Sequence, residues 1–273
     1  MRGRGKRRPS PPGDFIVAGG VRVHYVRAGA GQPVIYVHGA KGSVYDFTLS
    51  VGDLLARRYT AVAMDRPGSG FSARPANGGN TPQAQAAVLR TAAAQLGLER
   101  PILVGHSLGA AVTLAWALDA PDDVAAVVTL GGYTLPLGGP PPWVTRLLRY
   151  PLGLRGVGVL GRSRLGRPLV RAAAQRAFFP TPPPDEYLEI APRLALAASA
   201  LINDGEDRKV AEQGLAALRP RYPGLSVPLV IVTGAQDRMV PPAVSERLHA
   251  LVPRSEIVRV PGAGHMPQFS APD

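Results

Sequence analysis

The stretch that decides the fold is Ile102-Leu103-Val104-Gly105-His106-Ser107-Leu108-Gly109-Ala110-Ala111. An apolar run passes through G-x-S-x-G directly into an Ala-rich run, which predicts a buried strand, a sharp turn and a helix. The two glycines are needed in such a turn because a side chain at either position would collide with neighbouring backbone. Ser107 is then held in a strained conformation at the amino end of a helix, where free N–H groups favour developing negative charge.

On both sides of this stretch, short apolar runs bounded by glycine and proline alternate with longer Ala/Leu-rich runs, which is typical of βαβ units. The predicted strands are Val21–Val26, Val34–Val37, Thr60–Met64, Ile102–Val104, Val124–Leu130, Leu229–Thr233 and Glu256–Val260. The predicted helices are Val44–Arg57, Thr81–Leu96, Ser107–Ala120 and Pro242–Leu251. Near-continuous apolar strands indicate a mostly parallel sheet that helices cover on both faces.

Two segments depart from this alternation. The first eight positions hold five basic residues and lead into a Pro/Gly-rich run, which predicts a disordered basic tail over residues 1–13. Between the strands ending near 130 and beginning near 229, the chain is rich in Leu, Ala, Arg and Pro with weak helical periodicity. We therefore expect an α/β core over residues 14–133 and 224–273, and an inserted helical cap over residues 134–223.

A histidine and an aspartate follow the last two predicted strands. His265 lies on a Gly-rich loop after Glu256–Val260, and Asp237 follows Leu229–Thr233. In this topology the base is expected beyond the last strand and the acid at the end of an earlier one. The order Ser, Asp, His then predicts Ser107 as nucleophile, His265 as general base and Asp237 as the acid that orients the histidine.

Two backbone N–H groups are the predicted donors to an oxyanion. One belongs to Leu108, which opens the helix after the serine. The other belongs to Ala40, in the loop after Val34–Val37, where Gly39 lets the chain pass close to a substrate oxygen. His38 in the same loop is expected to form hydrogen bonds within the loop rather than to transfer protons.

Four motifs together resemble the α/β-hydrolase superfamily, and the resemblance runs from about residue 15 to the C-terminus apart from the cap. The motifs are His38-Gly39, Asp65-Arg66-Pro67-Gly68-Ser69-Gly70-Phe71-Ser72, the turn from Gly105 to Gly109, and Asp237 with His265. The resemblance implies an α/β-hydrolase sheet, the triad and oxyanion donors named above, and structural roles for Asp65 and Arg66. Family members usually carry a final helix after the histidine loop. This chain stops eight residues after His265, so part of one sheet face is expected to be exposed.

The predicted function is hydrolysis of a carboxylic ester, or a related acyl bond, of a small and partly apolar substrate. The same triad in this superfamily also supports carbon–carbon bond hydrolysis, lactone opening and cofactor-free perhydrolysis, so these alternatives stay open. A receptor that keeps the fold as a ligand cup is the alternative of another class. No cofactor is expected, and no metal is expected because no histidines and carboxylates have metal-ligand spacing.

The candidate pocket residues are Gly39, Trp143, Leu147, Phe178 and Met266, since ligand sites are mostly apolar. From Trp143 to Phe179 the chain has eight arginines and no acidic residue. Three interpretations of these arginines stay open: weak contact with an anionic membrane surface, a pocket rim that attracts anions, or ordinary solvated side chains. The basic tail is a second candidate for weak contact with an anionic membrane.

The remaining charges and histidines have simpler interpretations. The net charge of +12 is concentrated partly in the tail, which lacks interleaved aromatic residues, so nucleic-acid binding is not expected as the main function. His106 is expected to turn its ring away from the reacting centre. The acidic residues Asp204, Glu206, Asp207 and Glu212 are expected to form a solvated helix face. Without a secretory or membrane-spanning apolar run, the cytoplasm is the default location.

Overall fold

The computed structural model of the chain describes residues 10–76, 80–137, 156, 163 and 166–272. Its centre is one sheet of eight strands. They are β1 (Asp14–Ala18), β2 (Val21–Ala28), β3 (Pro33–Val37), β4 (Thr60–Met64), β5 (Ile102–His106), β6 (Ala126–Leu130), β7 (Leu229–Gly234) and β8 (Glu256–Val260). Their order across the sheet is β1-β2-β4-β3-β5-β6-β7-β8.

The sheet is mostly parallel, as the sequence predicts. β1 pairs antiparallel with β2, and β2 antiparallel with β4, whereas every pair from β4 across to β8 is parallel. All seven predicted strands are present, with bounds that differ from the prediction by at most two residues. β1 was not predicted and extends the sheet at one edge.

Helices cover both faces of this sheet. They are α1 (Tyr45–Thr48), α2 (Gly52–Ala56), α3 (Pro82–Gln95), α4 (Leu108–Asp119), α5 (Arg167–Phe178), α6 (Asp185–Ala195), α7 (Ala198–Leu218), α8 (Pro242–Leu251) and α9 (Pro267–Ser270), with 3₁₀ helices at Pro121–Asp123 and Arg219–Gly224. Pro82 and Pro242 occupy first helical positions, as predicted. The Thr81 side chain caps α3 by accepting a hydrogen bond from the N–H of Ala84 at 3.2 Å.

The single helix predicted over Val44–Arg57 is wrong, because the structure has two short helices there. The Ser50 hydroxyl donates to the carbonyl oxygens of Asp46 and Phe47 at 2.9 and 3.2 Å, at the end of the first helix. A side-chain donor of this kind competes with the backbone N–H groups that would continue the helix.

The core has two layers because successive strand residues point to opposite faces of the sheet. In β3, Ile35 and Val37 belong to the layer under α3 and α4, whereas Val34 and Tyr36 belong to the layer under α1 and α2. α4 is buried along nearly its whole length between the sheet and α3. The helix that follows Ser107 is therefore fixed on several sides.

The chain between β6 and β7 contains α5, α6 and α7 within the residues that the structure describes. The predicted limits of a cap at residues 134 and 223 stay a prediction, since most of 138–165 lies outside the described residues. Within the described ranges, no helix combines the length and apolar character that crossing a membrane requires.

Candidate active site

The candidate residues meet at one edge of the sheet. Because β3, β5, β6, β7 and β8 are parallel, their carboxyl ends lie together, and ligands of open α/β sheets bind outside that edge. The loop with Gly39 follows β3, Ser107 follows β5, and the loops with Asp237 and His265 follow β7 and β8. The topology thus brings four separate chain segments to one place.

Ser107 has the strained backbone that the G-x-S-x-G stretch predicts. Its φ and ψ are 51° and −119°, a conformation that residues with a side chain rarely adopt. Its N–H donates to the Leu130 carbonyl at 3.0 Å, and its carbonyl accepts from the Tyr133 N–H at 2.9 Å. These bonds to the end of β6 and the segment after it hold the turn in place.

The glycines on either side of Ser107 allow this turn. A Cβ at Gly105 would lie 2.6 Å from the Cα of Ala110, and a Cβ at Gly109 would lie 2.6 Å from the His38 carbonyl oxygen. Both separations are too short for non-bonded atoms. A larger residue at either position would therefore push α4 away from β5 or β3. The glycine spacing is therefore a packing requirement of the turn.

His265 and Asp237 form a direct hydrogen bond. His265 Nδ1 lies 2.7 Å from Asp237 Oδ2, and both side chains are buried. Asp237 Oδ1 accepts from the N–H groups of Met239 and Val240 at 2.7 and 2.9 Å. Because the Asp237 carboxyl group accepts hydrogen bonds on this side, His265 is assigned the tautomer that donates from Nδ1 and has no proton on Nε2.

Gly131 connects this pair to the serine. It follows Leu130, the acceptor of the Ser107 N–H, and a Cβ at Gly131 would lie 3.2 Å from both Asp237 Oδ2 and His265 Nδ1. In the described part of the chain, Ser107 Oγ makes no hydrogen bond to His265. Such bonds are often long or poorly aligned without substrate and tighten when it binds.

The two predicted oxyanion donors flank the serine. A Cβ at Gly39 would lie 2.8 Å from the Ser107 Cβ, so the loop before Ala40 passes directly over the serine. Among described residues, the Ala40 N–H donates to no protein acceptor. Leu108 is the first residue of α4, where a helix leaves its N–H without an intrahelical partner. Both N–H groups are available to a ligand.

His38 forms hydrogen bonds within its own loop region, as predicted. Its Nδ1 lies 2.8 Å from the Gly39 carbonyl oxygen, and its Nε2 accepts from the Arg66 N–H at 3.0 Å. Burial, followed by the positive charge of Arg66, lowers the pKa of His38 to about 4. The ring is therefore neutral at physiological pH, and it joins the loop after β3 to the loop after β4.

The orientation predicted for His106 is wrong, because its ring packs against His265. The ring centroids are 4.8 Å apart, and His106 Nε2 lies 2.8 Å from the His265 carbonyl oxygen. Burial, followed by His265, lowers the pKa of His106 to about 3. A neutral His106 donates to the loop that carries the candidate base, so the end of β5 contacts the loop after β8 although β6 and β7 lie between these strands.

The solvated face predicted for Asp204, Glu206, Asp207 and Glu212 is wrong for Asp207. Its carboxylate is 3% exposed and accepts from Asn80 Nδ2 at 2.7 Å and Arg74 Nη1 at 2.9 Å. Glu206, one residue earlier, is about half exposed. The reason is a long-range contact. α7 packs on the loop after β4, and Arg74 in that loop lies 133 positions from Asp207 in the sequence.

The predicted pocket residues have different outcomes. Gly39 lies against Ser107, and Met266 follows His265 and is buried. Phe178 is buried at the end of α5, with ring centroids 4.9 Å from Tyr187 and 5.0 Å from Phe269. Trp143 and Leu147 lie outside the described residues.

A buried carboxyl group that the sequence analysis did not identify lies beneath the loop after β3. Asp46, in α1, is 2% exposed and accepts a hydrogen bond from the Tyr187 hydroxyl at 3.2 Å. Burial is the largest cause that raises the pKa of Asp46 to about 7. Through Tyr187, this carboxyl group connects α1 with α6.

The segment after α5 also contacts the loops that carry the acid and base. The Arg238 guanidinium lies 3.5 Å from the ring centroid of Phe179, a cation–π contact beside Asp237. A Cβ at Gly264 would collide with the Phe179 carbonyl oxygen. Within the described ranges, no three His, Asp or Glu side chains are grouped so that they could hold a metal ion.

Comparisons with known proteins agree with this architecture. RutD of Cronobacter turicensis, named as a candidate carbamate hydrolase, is 30% identical over 251 residues, which are 89% of this chain and 87% of that protein. An alpha/beta hydrolase fold protein from Burkholderia ambifaria has a TM-score of 0.79 at 21% identity, covering 97% of this chain and 96% of that one. A thermophilic esterase from Thermogutta terrifontis has a TM-score of 0.71 at 22% identity, covering 95% and 93%. At these identities the two solved structures show the fold alone.

The family assignment rests on a match along most of the sequence. The profile of the alpha/beta hydrolase fold family matches residues 32–272, which include all four chain segments at the candidate site. The parallel sheet and the strand–turn–helix around Ser107 are the architecture of that family. The chain is therefore a member of the α/β-hydrolase family.

Proposed function

We propose that the chain is a serine hydrolase that cleaves a carboxylic ester, or a related acyl bond, of a small and partly apolar substrate. The observation that carries the proposal is the buried 2.7 Å pair of His265 and Asp237, beside a serine with φ of 51° at a helix start. Family membership supports hydrolase activity in general. The choice of acyl-transfer chemistry follows from a base, its orienting acid and a nucleophile in one constellation.

In the first half of the proposed reaction, His265 Nε2 takes the proton of Ser107 Oγ as that oxygen attacks the substrate carbonyl carbon. The carbonyl electron pair moves to its oxygen, and the N–H groups of Ala40 and Leu108 stabilise the oxyanion. Asp237 stabilises the imidazolium and keeps its orientation. The intermediate then collapses, His265 protonates the leaving alcohol, and the acyl group stays on the serine.

In the second half, water replaces the alcohol. His265 removes a proton from the water, whose oxygen attacks the acyl carbon, and the same N–H groups bind the second oxyanion. Collapse breaks the bond to Ser107 Oγ, which regains its proton from His265, and the carboxylic acid leaves. The cycle consumes one water molecule and needs no cofactor.

Apolar residues support a substrate with an alkyl or aromatic portion. Met266 follows the base, and the rings of Phe178, Tyr187 and Phe269 pack together next to that loop. Ligand sites in general use apolar surface for affinity and few polar groups for orientation. The likeness to RutD, which is named for carbamates, adds carbamate esters to the acyl bonds that should be tested.

The test is hydrolysis of p-nitrophenyl acetate, butyrate and octanoate and of a p-nitrophenyl carbamate. Wild type is compared with Ser107→Ala and with Ser226→Ala, an exposed serine just before β7 at the opposite edge of the sheet. We expect turnover by the wild type and Ser226→Ala, and none by Ser107→Ala despite an unchanged circular dichroism spectrum. Near-full activity of Ser107→Ala would refute the proposal.

A folded wild type without ester turnover would instead favour another activity, which is carbon–carbon bond hydrolysis, lactone opening or perhydrolysis, or a function as a receptor. A fluorophosphonate probe separates the last of these from the others. An activated serine is labelled rapidly at Ser107, whereas a ligand cup with an unactivated serine reacts poorly.

A further inference from the structure

Arg66 is a buried cation whose guanidinium holds the loop over the serine. It is 1% exposed, and its Nε donates to the His38 carbonyl at 2.9 Å while its Nη2 donates to the Gly39 carbonyl at 3.0 Å. Its Nη1 donates to Gln85 Oε1 at 2.7 Å. One rigid, planar group therefore fixes two successive carbonyls of the loop.

Fixing the Gly39 carbonyl also fixes the Ala40 N–H. Both belong to the same peptide group, which is planar, and in a trans peptide the C=O and N–H bonds point in opposite directions. The carbonyl also accepts from His38 Nδ1 at 2.8 Å and from the Gly42 N–H at 3.2 Å. Because all these donors lie on the carbonyl side, the Ala40 N–H is held facing away from Arg66.

The carboxylate that forms an ion pair with Arg66 comes from α7. Asp207 Oδ2 lies 3.7 Å from Arg66 Nη1, and the other oxygen of that carboxylate is held by Arg74 and Asn80. Burial lowers the pKa of Arg66, and the carboxylate of Asp207 opposes this change more than any other group does. A buried guanidinium that lost this partner would be strongly destabilised in its present position.

We propose that Asp207 and Arg66 form a relay through which α7 orients the Ala40 N–H. The packing of this helix on the core therefore determines how strongly the oxyanion is stabilised. The inference rests on the proposed function, since this N–H matters to catalysis only where an oxyanion forms. Asp207 and Arg66 are positioning residues in this relay, because they act through the loop and do not touch the substrate. A helix outside the parallel sheet thereby influences the rate of the chemical step.

The test compares Asp207→Asn with Glu206→Gln on the same helix. Glu206 is half exposed and pairs with Arg74 at 3.0 Å, so its variant removes a neighbouring carboxylate charge without touching Arg66. We expect Asp207→Asn to lower kcat for p-nitrophenyl butyrate about 10- to 100-fold, because removal of one oxyanion donor costs about 10²–10³-fold. KM should stay within about twofold, since the ground-state carbonyl gains little from that donor.

A transition-state analogue gives the readout that a purely structural role would not change. A trifluoromethyl ketone that adds to the serine forms an oxyanion, so its affinity should fall by the same factor as kcat in Asp207→Asn. Glu206→Gln should match the wild type in both measurements. If Asp207→Asn does not fold, Arg66→Lys carries the test. It keeps the charge but replaces the planar fork with an ammonium, which does not hold both carbonyls in the same way.

The relay is overturned if the folded variant keeps kcat and ketone affinity within twofold of Glu206→Gln. It is also overturned if the loss appears in KM alone. When the wild type shows turnover that depends on Ser107, either of these results removes the relay and leaves the proposed function intact. If the wild type shows no such turnover, the proposed function fails first, and the catalytic role of the relay fails with it.

Discussion

The imidazole ring of His106 packs against the ring of His265, and its Nε2 lies 2.8 Å from the His265 carbonyl oxygen. The residue before the candidate nucleophile thus supports the loop that carries the candidate base. Its other ring nitrogen, Nδ1, is buried and has no partner among the described residues. A Cβ at Gly39 would lie 3.0 Å from that nitrogen, so His106 is packed between the loop after β3 and the loop after β8.

Replacement of His106 by Phe should weaken this support while keeping a ring in the same space. The His265 carbonyl loses a buried donor, and we expect the free energy of unfolding to fall by about 1–3 kcal/mol. kcat should fall as well, because the loop that carries His265 loses an anchor. Urea unfolding at pH 7.5 and ester turnover check both effects. A variant equal to the wild type in both would show that the contact is dispensable.

The same variant should be less sensitive to acid. The pKa of His106 is lowered from 6.5 to about 3 by burial and then by His265, so between these values the unfolded state binds a proton that the native state does not. The contribution of neutral His106 to the free energy of unfolding is therefore fully present above about pH 6.5 and is lost as the pH falls towards about 3. His106→Phe should reduce the slope of unfolding free energy against pH by about 1 kcal/mol per unit. Urea titrations from pH 4.5 to 6 measure it, and parallel slopes would contradict the assignment.

Gly131→Ala should disturb the hydrogen-bonded pair of Asp237 and His265 directly. Gly131 has a φ of 51°, and an added Cβ would lie 3.2 Å from both Asp237 Oδ2 and His265 Nδ1. The matched control is Gly97→Ala, since Gly97 has a φ of 68° with nothing within 4 Å of its Cβ position. Both variants should lose about 1 kcal/mol of stability through backbone strain. Only Gly131→Ala should lose activity, by up to about 10²-fold. Equal activities would exclude crowding of the pair.

Asp237→Asn tests the tautomer assigned to His265. The asparagine oxygen can still accept from Met239 and Val240, which places its NH₂ group against His265 Nδ1. The histidine then carries its proton on Nε2 and cannot accept one from Ser107. We expect kcat to fall by about 10³–10⁴-fold with little change in thermal stability. Glu246→Gln, an exposed carboxylate in α8, should be unaffected. Retained turnover would refute the role of Asp237.

Much of the architecture could be predicted because its signals are local. The stretch around Ser107 combines an apolar strand, an Ala-rich helix, and two glycines at which an added Cβ would lie within 2.6 Å of neighbouring backbone, so packing leaves few alternatives. The alternation of strands and helices then brings the loops after β7 and β8 to the same edge. β1 was missed although a signal exists: Gly19-Gly20, with φ of 56° and 75°, joins it to β2 as a hairpin.

Other features could not be found from the sequence because they depend on distant partners. Asp207 lies among acidic residues typical of a solvated face, and Arg74, one of the residues that bind it, lies 133 positions away. Asp46 is similar, since its burial depends on Tyr187 in a helix 141 positions later. The ring of His106 lies against His265, 159 positions away. A single sequence contains no local signal for such contacts.

Asp46→Asn should remove a pH dependence of the opposite sign. Burial is the main cause that raises the pKa of Asp46 from 3.8 to about 7, so between these values the native state keeps a proton that the unfolded state releases. The stability that this proton contributes is complete below about pH 4 and is lost as the pH rises to about 7. An asparagine does not titrate. We therefore expect the variant's unfolding free energy to decline less with rising pH, by about 1 kcal/mol per unit.

Asp53→Asn is the matched control for this measurement, because Asp53 is an exposed carboxylate in α2, the next helix along the chain. Its pH profile should run parallel to that of the wild type in urea titrations from pH 4.5 to 7.5. A parallel profile for Asp46→Asn as well would mean that water or a local cation keeps the buried carboxyl group ionised in the native state. A flatter profile for Asp46→Asn alone would mean that the Tyr187 hydroxyl bonds a neutral acid at low pH and a buried carboxylate above pH 7. The buried negative charge of Asp46 would then destabilise the contact between α1 and α6, next to the loop over Ser107, only in the alkaline range.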